Sequence, residues 1–319
     1  METNNMNVFD VLVVGELNVD IILDKILGFP RVGKEIISKE MNLTLGSSSA
    51  IFASNLSSFS TEVAFIGKLG NDNFSHLVLQ SLTAKKVHTD FIIRSDLLRT
   101  GLTVVMNYGN DRANVTYPGA MEHLKESEIE DEMLKKAKHL HVSSVFMQPG
   151  LLPDLLKLFE RAKKMGLTTS MDPQWDPSEK WELNLPKLLP YVDVFMPNIE
   201  EFKYLTNSRD ILSGLKAVEP FCNIVVIKDG ERGAHLWNKN KLISKPAFIN
   251  NKIVDCIGAG DSFDAGFISE FVKGHELQRC LEIGNLAGAL NTTAHGGTAA
   301  FKNMGQIKRQ AAENFSFQF

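Results

Sequence analysis

Cysteine is scarce in this 319-residue chain, which holds only Cys222, Cys256 and Cys280. They form no Cys-x-x-Cys pair and their odd number suits no disulfide framework, so a reducing compartment is expected. Long apolar runs are missing as well. The stretch after Val8 is interrupted by Asp10, Glu16 and Asp20, and no segment reaches the roughly 18 uninterrupted apolar residues of a membrane span. Met1 to Asn5 lack the basic start of a secretory signal. These absences lead to the expectation of a cytoplasmic protein with no membrane partner. Excess positive charge is lacking too: the formal net charge is -4, with a pI of about 6.1. That argues against nucleic acid as the main partner, because a phosphate backbone requires a basic face. Zinc-ligand spacings, a Gly-x-Ser-x-Gly elbow and a His-Glu-x-x-His helix are all absent, and the eight histidines are scattered. Internal repeats and low-complexity tracts are absent too.

What is present suits a large packed core: 44% hydrophobic and 23% charged residues are ordinary globular values. Short apolar runs alternate with helical stretches. Val11–Val14, Glu62–Ile66, His139–Val145, Leu167–Met171, Val192–Met196 and Ile224–Ile227 read as strands bounded by turn residues, and Leu151–Met165 as a helix between two of them. The pattern predicts one α/β domain over residues 1–319, built on a doubly wound, mostly parallel sheet flanked by helices. Two regions break the rhythm, 16–45 and 100–118. In the second, Leu102, Val104 and Met106 alternate with Thr103, Val105 and Asn107, and Gly109-Asn110-Asp111 is a turn signal from which Ala113–Tyr117 returns. Together these regions are expected to form a small β-sheet lid over one end of the main sheet.

The most informative segment is Asp255-Cys256-Ile257-Gly258-Ala259-Gly260-Asp261-Ser262-Phe263-Asp264-Ala265-Gly266-Phe267. Phe263, Phe267 and Phe271 follow at helical spacing, and Gly274 can end the helix, so the glycines sit where a helix begins. A helix N-terminus offers unpaired N–H groups and the positive end of a dipole, and small residues let an anion approach. Asp261 in the first turn has two readings: a capping carboxylate, or an acceptor for the proton of an attacking hydroxyl. On dipole grounds it should be ionised at neutral pH. In Gly15-Glu16-Leu17-Asn18-Val19-Asp20, strand alternation puts Glu16, Asn18 and Asp20 on one face, a row of polar groups suited to sugar hydroxyls. Gly28-Phe29-Pro30-Arg31-Val32-Gly33-Lys34-Glu35 almost spells a P-loop, but Glu35 stands where a Mg²⁺-binding Ser or Thr is needed.

The Asp255–Phe263 segment resembles the C-terminal signature of the ribokinase-like, or PfkB, carbohydrate kinases, Asp-Thr-x-Gly-Ala-Gly-Asp-Ser/Thr-Phe, departing at Cys256. The resemblance runs in order from Gly15 to Asn285. It implies that Asp261 is the catalytic base and that Gly258, Ala259 and Gly260 form the anion hole. Asp255 would lie beside the substrate or a monovalent cation such as K⁺. Pro197-Asn198-Ile199-Glu200-Glu201 looks like the family's Asn-x-x-Glu element, which would put Asn198 and Glu201 near the phosphates and Mg²⁺, the metal held through water. Asp172-Pro173-Gln174-Trp175 resembles the family's Asp-Pro-x-Trp step. Lys228-Asp229-Gly230-Glu231-Arg232-Gly233 looks like its nucleotide-binding turn, assigning Lys228, Gly230 and Gly233 to ATP, and Asn285 matches the helix beside adenine. Asn18 and Asp20 match the residues that hold the acceptor. In Gly46-Ser47-Ser48-Ser49-Ala50-Ile51-Phe52-Ala53, Gly46 and Ala53 fit the family's first signature, whereas Ser47 replaces a glycine and Ile51 replaces a sugar-binding asparagine.

The resemblance implies ATP-dependent phosphorylation of a hydroxyl on a small sugar-like molecule, with ATP at the carboxyl ends of the strands and the acceptor under the lid. A nucleoside kinase of the same family is the first alternative, with Phe29 or Tyr117 available to stack on a base. A catalytically silent sugar-binding sensor is the second. The exposed lid face could also pair two subunits as a homodimer.

Overall fold

The structure is a computed structural model that describes residues 8–108, 112–239 and 241–319. The Gly109-Asn110-Asp111 turn and Met1–Asn5 lie outside the described residues. In chain order the elements are β1 (Phe9–Val14), β2 (Asn18–Asp24), β3 (Glu40–Leu45), α1 (Ser48–Ser58), β4 (Val63–Ile66), β5 (Lys68–Gly70), α2 (Asn73–Ala84), β6 (Ile93–Ser95), β7 (Gly101–Asn107) and β8 (Arg112–Tyr117). They continue with α3 (Asp131–Leu134), β9 (Ala137–Ser143), α4 (Leu155–Lys164), β10 (Thr168–Asp172), α5 (Leu185–Leu188), β11 (Val194–Phe195), α6 (Ile199–Thr206), α7 (Ile211–Val218), β12 (Ile224–Lys228), β13 (Ala234–Asn238), β14 (Lys241–Lys245), α8 (Ala259–Phe271), α9 (Leu277–Asn291) and α10 (Met304–Phe315).

The main sheet has the order β14-β13-β12-β11-β10-β9-β1-β4. Six strands, from β12 to β4, run parallel, and β13 and β14 append an antiparallel edge that the apolar pattern did not foretell. Successive residues of a strand point to opposite faces. In β1, Leu12 and Val14 therefore pack into one hydrophobic layer with Leu158 and Phe159 of α4. Val11 and Val13 pack into the other with Phe52 of α1 and Phe267 of α8. All four β1 side chains are fully buried, which explains why the strand reads as a continuous apolar run. A third layer joins α9 and α10 through Leu286, Leu290, Ile307 and Phe301.

The lid is a separate four-stranded sheet, β3-β2-β7-β8, in which β2 and β7 are parallel and the outer pairs antiparallel. The Ala113–Tyr117 return is present as β8, with Thr103 opposite Thr116 and Val105 opposite Asn114. The pleat sorts the lid's side chains by chemistry. Asp20, Thr103 and Thr116 share the face turned to the main sheet's carboxyl ends. Ile21, Leu23, Met41, Leu43, Val104, Met106, Val115 and Tyr117 share the other. A small β5–β6 pair, not foreseen, lies at the margin. Among the described residues no helix is long and apolar enough to cross a membrane.

Candidate active site

β1 has β4 on one side and β9 on the other, so the chain leaves neighbouring strand ends in opposite directions and opens a crevice at their carboxyl ends. The residues that follow these ends line a cleft of about 1210 Å³, roofed by the lid. Glu16 follows β1, Ser144 follows β9, Gln174 follows β10, Asn198 follows β11, and Lys228 closes β12. The start of α8 completes the wall with Gly258, Ala259, Gly260 and Asp261.

Asp261 is not a cap. The N-cap of α8 is Gly258 at φ 77°, and no side chain caps the helix. Ala259 N donates to the Cys256 carbonyl at 3.3 Å, and the other amides at the helix start keep their donors for an anion. The Asp261 carboxylate accepts from Gln174 Nε2 at 2.9 Å, and the same amide donates to Asp172 Oδ2 at 2.6 Å. Burial pushes the Asp261 carboxyl up to about 8, the Asp172 charge adds to this, and Lys228 opposes it. The dipole argument for an ionised carboxylate is therefore outweighed by desolvation. Lys228 Nζ donates to Asp172 Oδ2 at 2.7 Å and to Asp264 Oδ2 at 2.9 Å. Burial alone would lower its affinity for the proton, but Asp172, Asp264 and Glu201 together raise it well above the usual lysine range.

The loop before α8 is held from behind. Asn55 Nδ2 donates to Ser262 Oγ at 2.9 Å and to the Gly297 carbonyl at 2.8 Å. Ser262 Oγ also contacts the Gly258 carbonyl and Asn291 Oδ1, and Asn291 Nδ2 donates to the Ile257 carbonyl. Ile51 is 3% exposed and packs against Gly258 and Gly297; a Cβ at Gly297 would collide with it, and one at Gly258 would strike the Gly297 backbone. The residue that replaces the family's asparagine thus packs the loop before α8 and gives the cleft an apolar floor.

On the lid side of the cleft, Asn18 Nδ2 bridges Asp20 Oδ1 at 3.0 Å and Thr103 Oγ1 at 2.9 Å. A Cβ at Gly46 would overlap the Asp20 carboxylate, which explains why that position must be glycine. Burial lifts Asp20 to about 6, against the Asn18 hydrogen bond and the nearby Arg112 charge. Glu16 precedes β2 and is buried, with the Ser49 amide and hydroxyl on its two oxygens, and burial lifts it to about 7. Asn198 and Glu201 form a capping box on α6, with Asn198 Oδ1 accepting from the Glu200 and Glu201 amides at 2.9 Å, yet both still line the cleft. Burial, then the Asp172 charge, lifts Glu201 to about 7.

Of the residues singled out from the sequence, Asn18, Asp20, Asn198, Glu201, Lys228, Gly230, Gly258, Ala259, Gly260 and Asp261 meet at this cleft. Gly46 sits directly behind Asp20. Asp255 turns both oxygens to backbone, accepting from Ile257 N and Gly296 N at 2.9 Å. Gly233 serves the β12–β13 turn at φ 95°. Asn285 is buried, not on the surface, and donates to the Lys245 and Pro246 carbonyls. Phe29 stacks on Tyr108 and is exposed, Tyr117 lies on the lid's outer face, and neither lines the cleft. The near-P-loop is an exposed lid segment. Sequence reasoning passed over Arg112, Thr103 and Asn114 of the lid, the Asn55–Ser262–Asn291 support, and Asp264.

A glycine turn opening a helix, a buried carboxylate beside it, and a polar lid facing both define a sugar phosphotransferase. The chain belongs to the pfkB family of carbohydrate kinases, whose family model matches residues 8–304. It is 28% identical over 235 residues to a protein of Archaeoglobus fulgidus described as an uncharacterized sugar kinase, covering 73% of this chain and 92% of that protein. It is 27% identical over 256 residues to fructokinase-2 of Solanum habrochaites, covering 74% and 77%. Among solved structures, one assigned to ribokinase II of E. coli, in complex with ATP and Mg²⁺, matches with a TM-score of 0.82 at 24% identity over 94% of this chain and 98% of that one.

Proposed function

We propose that this kinase transfers the terminal phosphate of ATP to a hydroxyl of a small sugar, with Asp261 as general base. The observation that carries the reading is Asp261 itself: a buried carboxylate beside an uncapped helix start, in one cleft with the Asn18–Asp20–Thr103 row. Asn18 and Asp20 orient the acceptor hydroxyls. Asp261 takes the proton as the hydroxyl oxygen attacks, and its raised proton affinity matches a base working near neutral pH. Amides at Gly258, Ala259 and Gly260 receive the charge that develops on the phosphoryl oxygens. Lys228 at the end of β12 and Gly230 in the turn after it face the nucleotide, while Gly233 and Asn285 shape the turn and helix behind it.

The donor set fits Mg²⁺: Glu201 and Asn198 bring oxygens to the cleft beside Asp261 and Lys228, while Asp172 and Asp264 hold the lysine from beneath. Bound there through water, Mg²⁺ would neutralise phosphate charge. Asp255, whose carboxylate ties Ile257 to Gly296, is the proposed neighbour of a monovalent cation such as K⁺. Free cysteines and use of ATP suit the cytoplasm. A homodimer through the apolar lid face belongs to the same proposal.

A nucleoside acceptor is the second reading. Met121, Phe146, Met147 and Trp175 line the cleft together with the polar lid, so an apolar wall is available to a base. ADP release with a panel of sugars, sugar acids and nucleosides separates the two. On the accepted substrate, Asp261→Asn is expected to lower kcat by about 10²–10⁴ while remaining folded. A variant as active as wild type removes Asp261 from the mechanism.

A further inference from the structure

We infer that Asp264, a residue outside the cleft, is a positioning residue that aims the Lys228 ammonium at the transferred phosphoryl group. The inference rests on the phosphotransfer reading above. Asp264 lies one helical turn beyond Asp261 on α8, so both carboxylates project from the same side of the helix. They do different work. Asp261 lines the cleft, whereas Asp264 is 1% exposed beneath it and its Oδ1 has no hydrogen-bond partner.

A carboxylate in that place is costly. Burying an ion pair seldom stabilises a fold more than an apolar pair of similar size would, and the unpartnered Oδ1 adds to the cost. The surroundings of α8 are apolar, with Phe263, Ala265, Phe267 and Ile268 all buried. Packing alone therefore gives no reason for an aspartate, and what it touches does. Asp264 Oδ2 accepts from Lys228 Nζ at 2.9 Å, and Asp172 Oδ2 accepts from the same nitrogen at 2.7 Å.

An ammonium group has three N–H donors. Two are taken by carboxylates from different elements, Asp172 at the end of β10 and Asp264 on α8. The third is left for the cleft that Lys228 lines. Lys228 Nζ lies 3.8 Å from where a Cβ on Gly260 would stand, directly beside the anion loop. Two fixed anchors hold the third N–H toward the place where charge gathers on the phosphoryl oxygens, and a prepositioned donor is worth most there. A lysine held only by Asp172 could swing about that one bond.

The test is a double-mutant cycle in kcat and in the Kd of the non-hydrolysable analogue AMP-PNP with Mg²⁺, on the accepted substrate. Asp264→Asn is expected to lower kcat by about 10-fold and to weaken AMP-PNP, with the acceptor KM unchanged. Lys228→Met is expected to cost about 10²–10³ in kcat. Adding Asp264→Asn to Lys228→Met should change kcat by less than twofold, because Asp264 then has nothing to aim. Asp264→Glu keeps the carboxyl group that accepts from Lys228 and should recover part of the loss; it also takes the place of Asp264→Asn should that variant not fold. Equal losses from Asp264→Asn with and without Lys228 overturn the inference, as does an Asp264→Asn enzyme with wild-type kcat and AMP-PNP affinity. Either result leaves the role of Asp261 untouched, since that role stands on Asp261→Asn alone.

Discussion

At the scale of single residues, the proposed chemistry turns on how burial sets the charge of Asp261. Its carboxyl is lifted to about 8 by desolvation first and by Asp172 second. A base must be ionised to accept a proton, so lowering the pH through that value removes the working form. The acid limb of kcat/KM for the nucleotide, which reports the free enzyme, is therefore expected near pH 8 and not near the ordinary carboxylate value. A pH–rate profile that stays flat down to pH 5.5 would refute this. The positions legible in the sequence were those encoded in a contiguous motif. Asp261 and its glycines could be read as one site because the backbone of one helix start places them together. Asp255 belongs to the same motif, yet its carboxylate turns away to the Ile257 and Gly296 amides, and that direction depends on a loop about 40 residues further on. Asp264 was equally visible as a letter, but only the arrival of Lys228 from β12 gives it a partner, and spacing along a helix does not reveal what stands opposite.

At the scale of elements, β9 and β10 carry a polar thread through an otherwise apolar sheet. His139 contacts Thr168 Oγ1 at 2.8 Å and Ser170 Oγ at 2.7 Å, and His141 contacts the same Ser170 hydroxyl at 2.7 Å while stacking on Phe52. Burial holds both rings neutral, pulling His139 down to about 3 and His141 well below its usual value. The unfolded chain binds a proton on each histidine below about 6.5, whereas the folded chain does not. Stability from this source is complete above that pH and is lost as the pH falls toward the folded value. Relative to His139→Gln, wild type is expected to lose about 2 kcal/mol between pH 7 and pH 5, measured by urea unfolding of both proteins. A pH-independent difference would show that His139 titrates normally in the fold. Element type was readable here because β-rich runs and turn residues are local signals. The polar residues inside them gave no warning of their pairing, which joins positions about 30 apart. The edge strands β13 and β14 also escaped notice, since half-exposed strands such as Lys241–Lys245 lack a continuous apolar run.

At the scale of the whole molecule, the lid is the part with a face left over. Its inner side is polar and meets the cleft, and its outer side joins Ile21, Leu23, Leu43, Val104 and Val115 in one apolar sheet surface, with Leu43 43% and Val115 62% exposed. Apolar patches of this kind on a soluble protein mark contact surfaces. A second copy offers the same sheet face in return, and a two-fold pairing of like surfaces closes on itself. Light scattering is expected to give a mass near twice the 35.5 kDa of the chain, falling to the single value in a Leu43→Asp, Val115→Lys variant. A wild-type chain that stays monomeric at tens of micromolar would rule out this dimer.

The support of the loop before α8 has a consequence for how the protein comes into being. Asn55 is fully buried and donates to Ser262 and to Gly297, partners that lie 207 and 242 residues later in the chain. At about 5–20 residues per second of synthesis, those partners emerge on the order of 10–50 s after Asn55 itself. Until then the first helix carries an amide with nothing to hold, and the slot filled by Ile51 has no opposite wall. A growing chain can therefore complete its strands and even its lid well before the wall of the cleft at α8 is braced, and a finished cleft is reserved for the finished molecule.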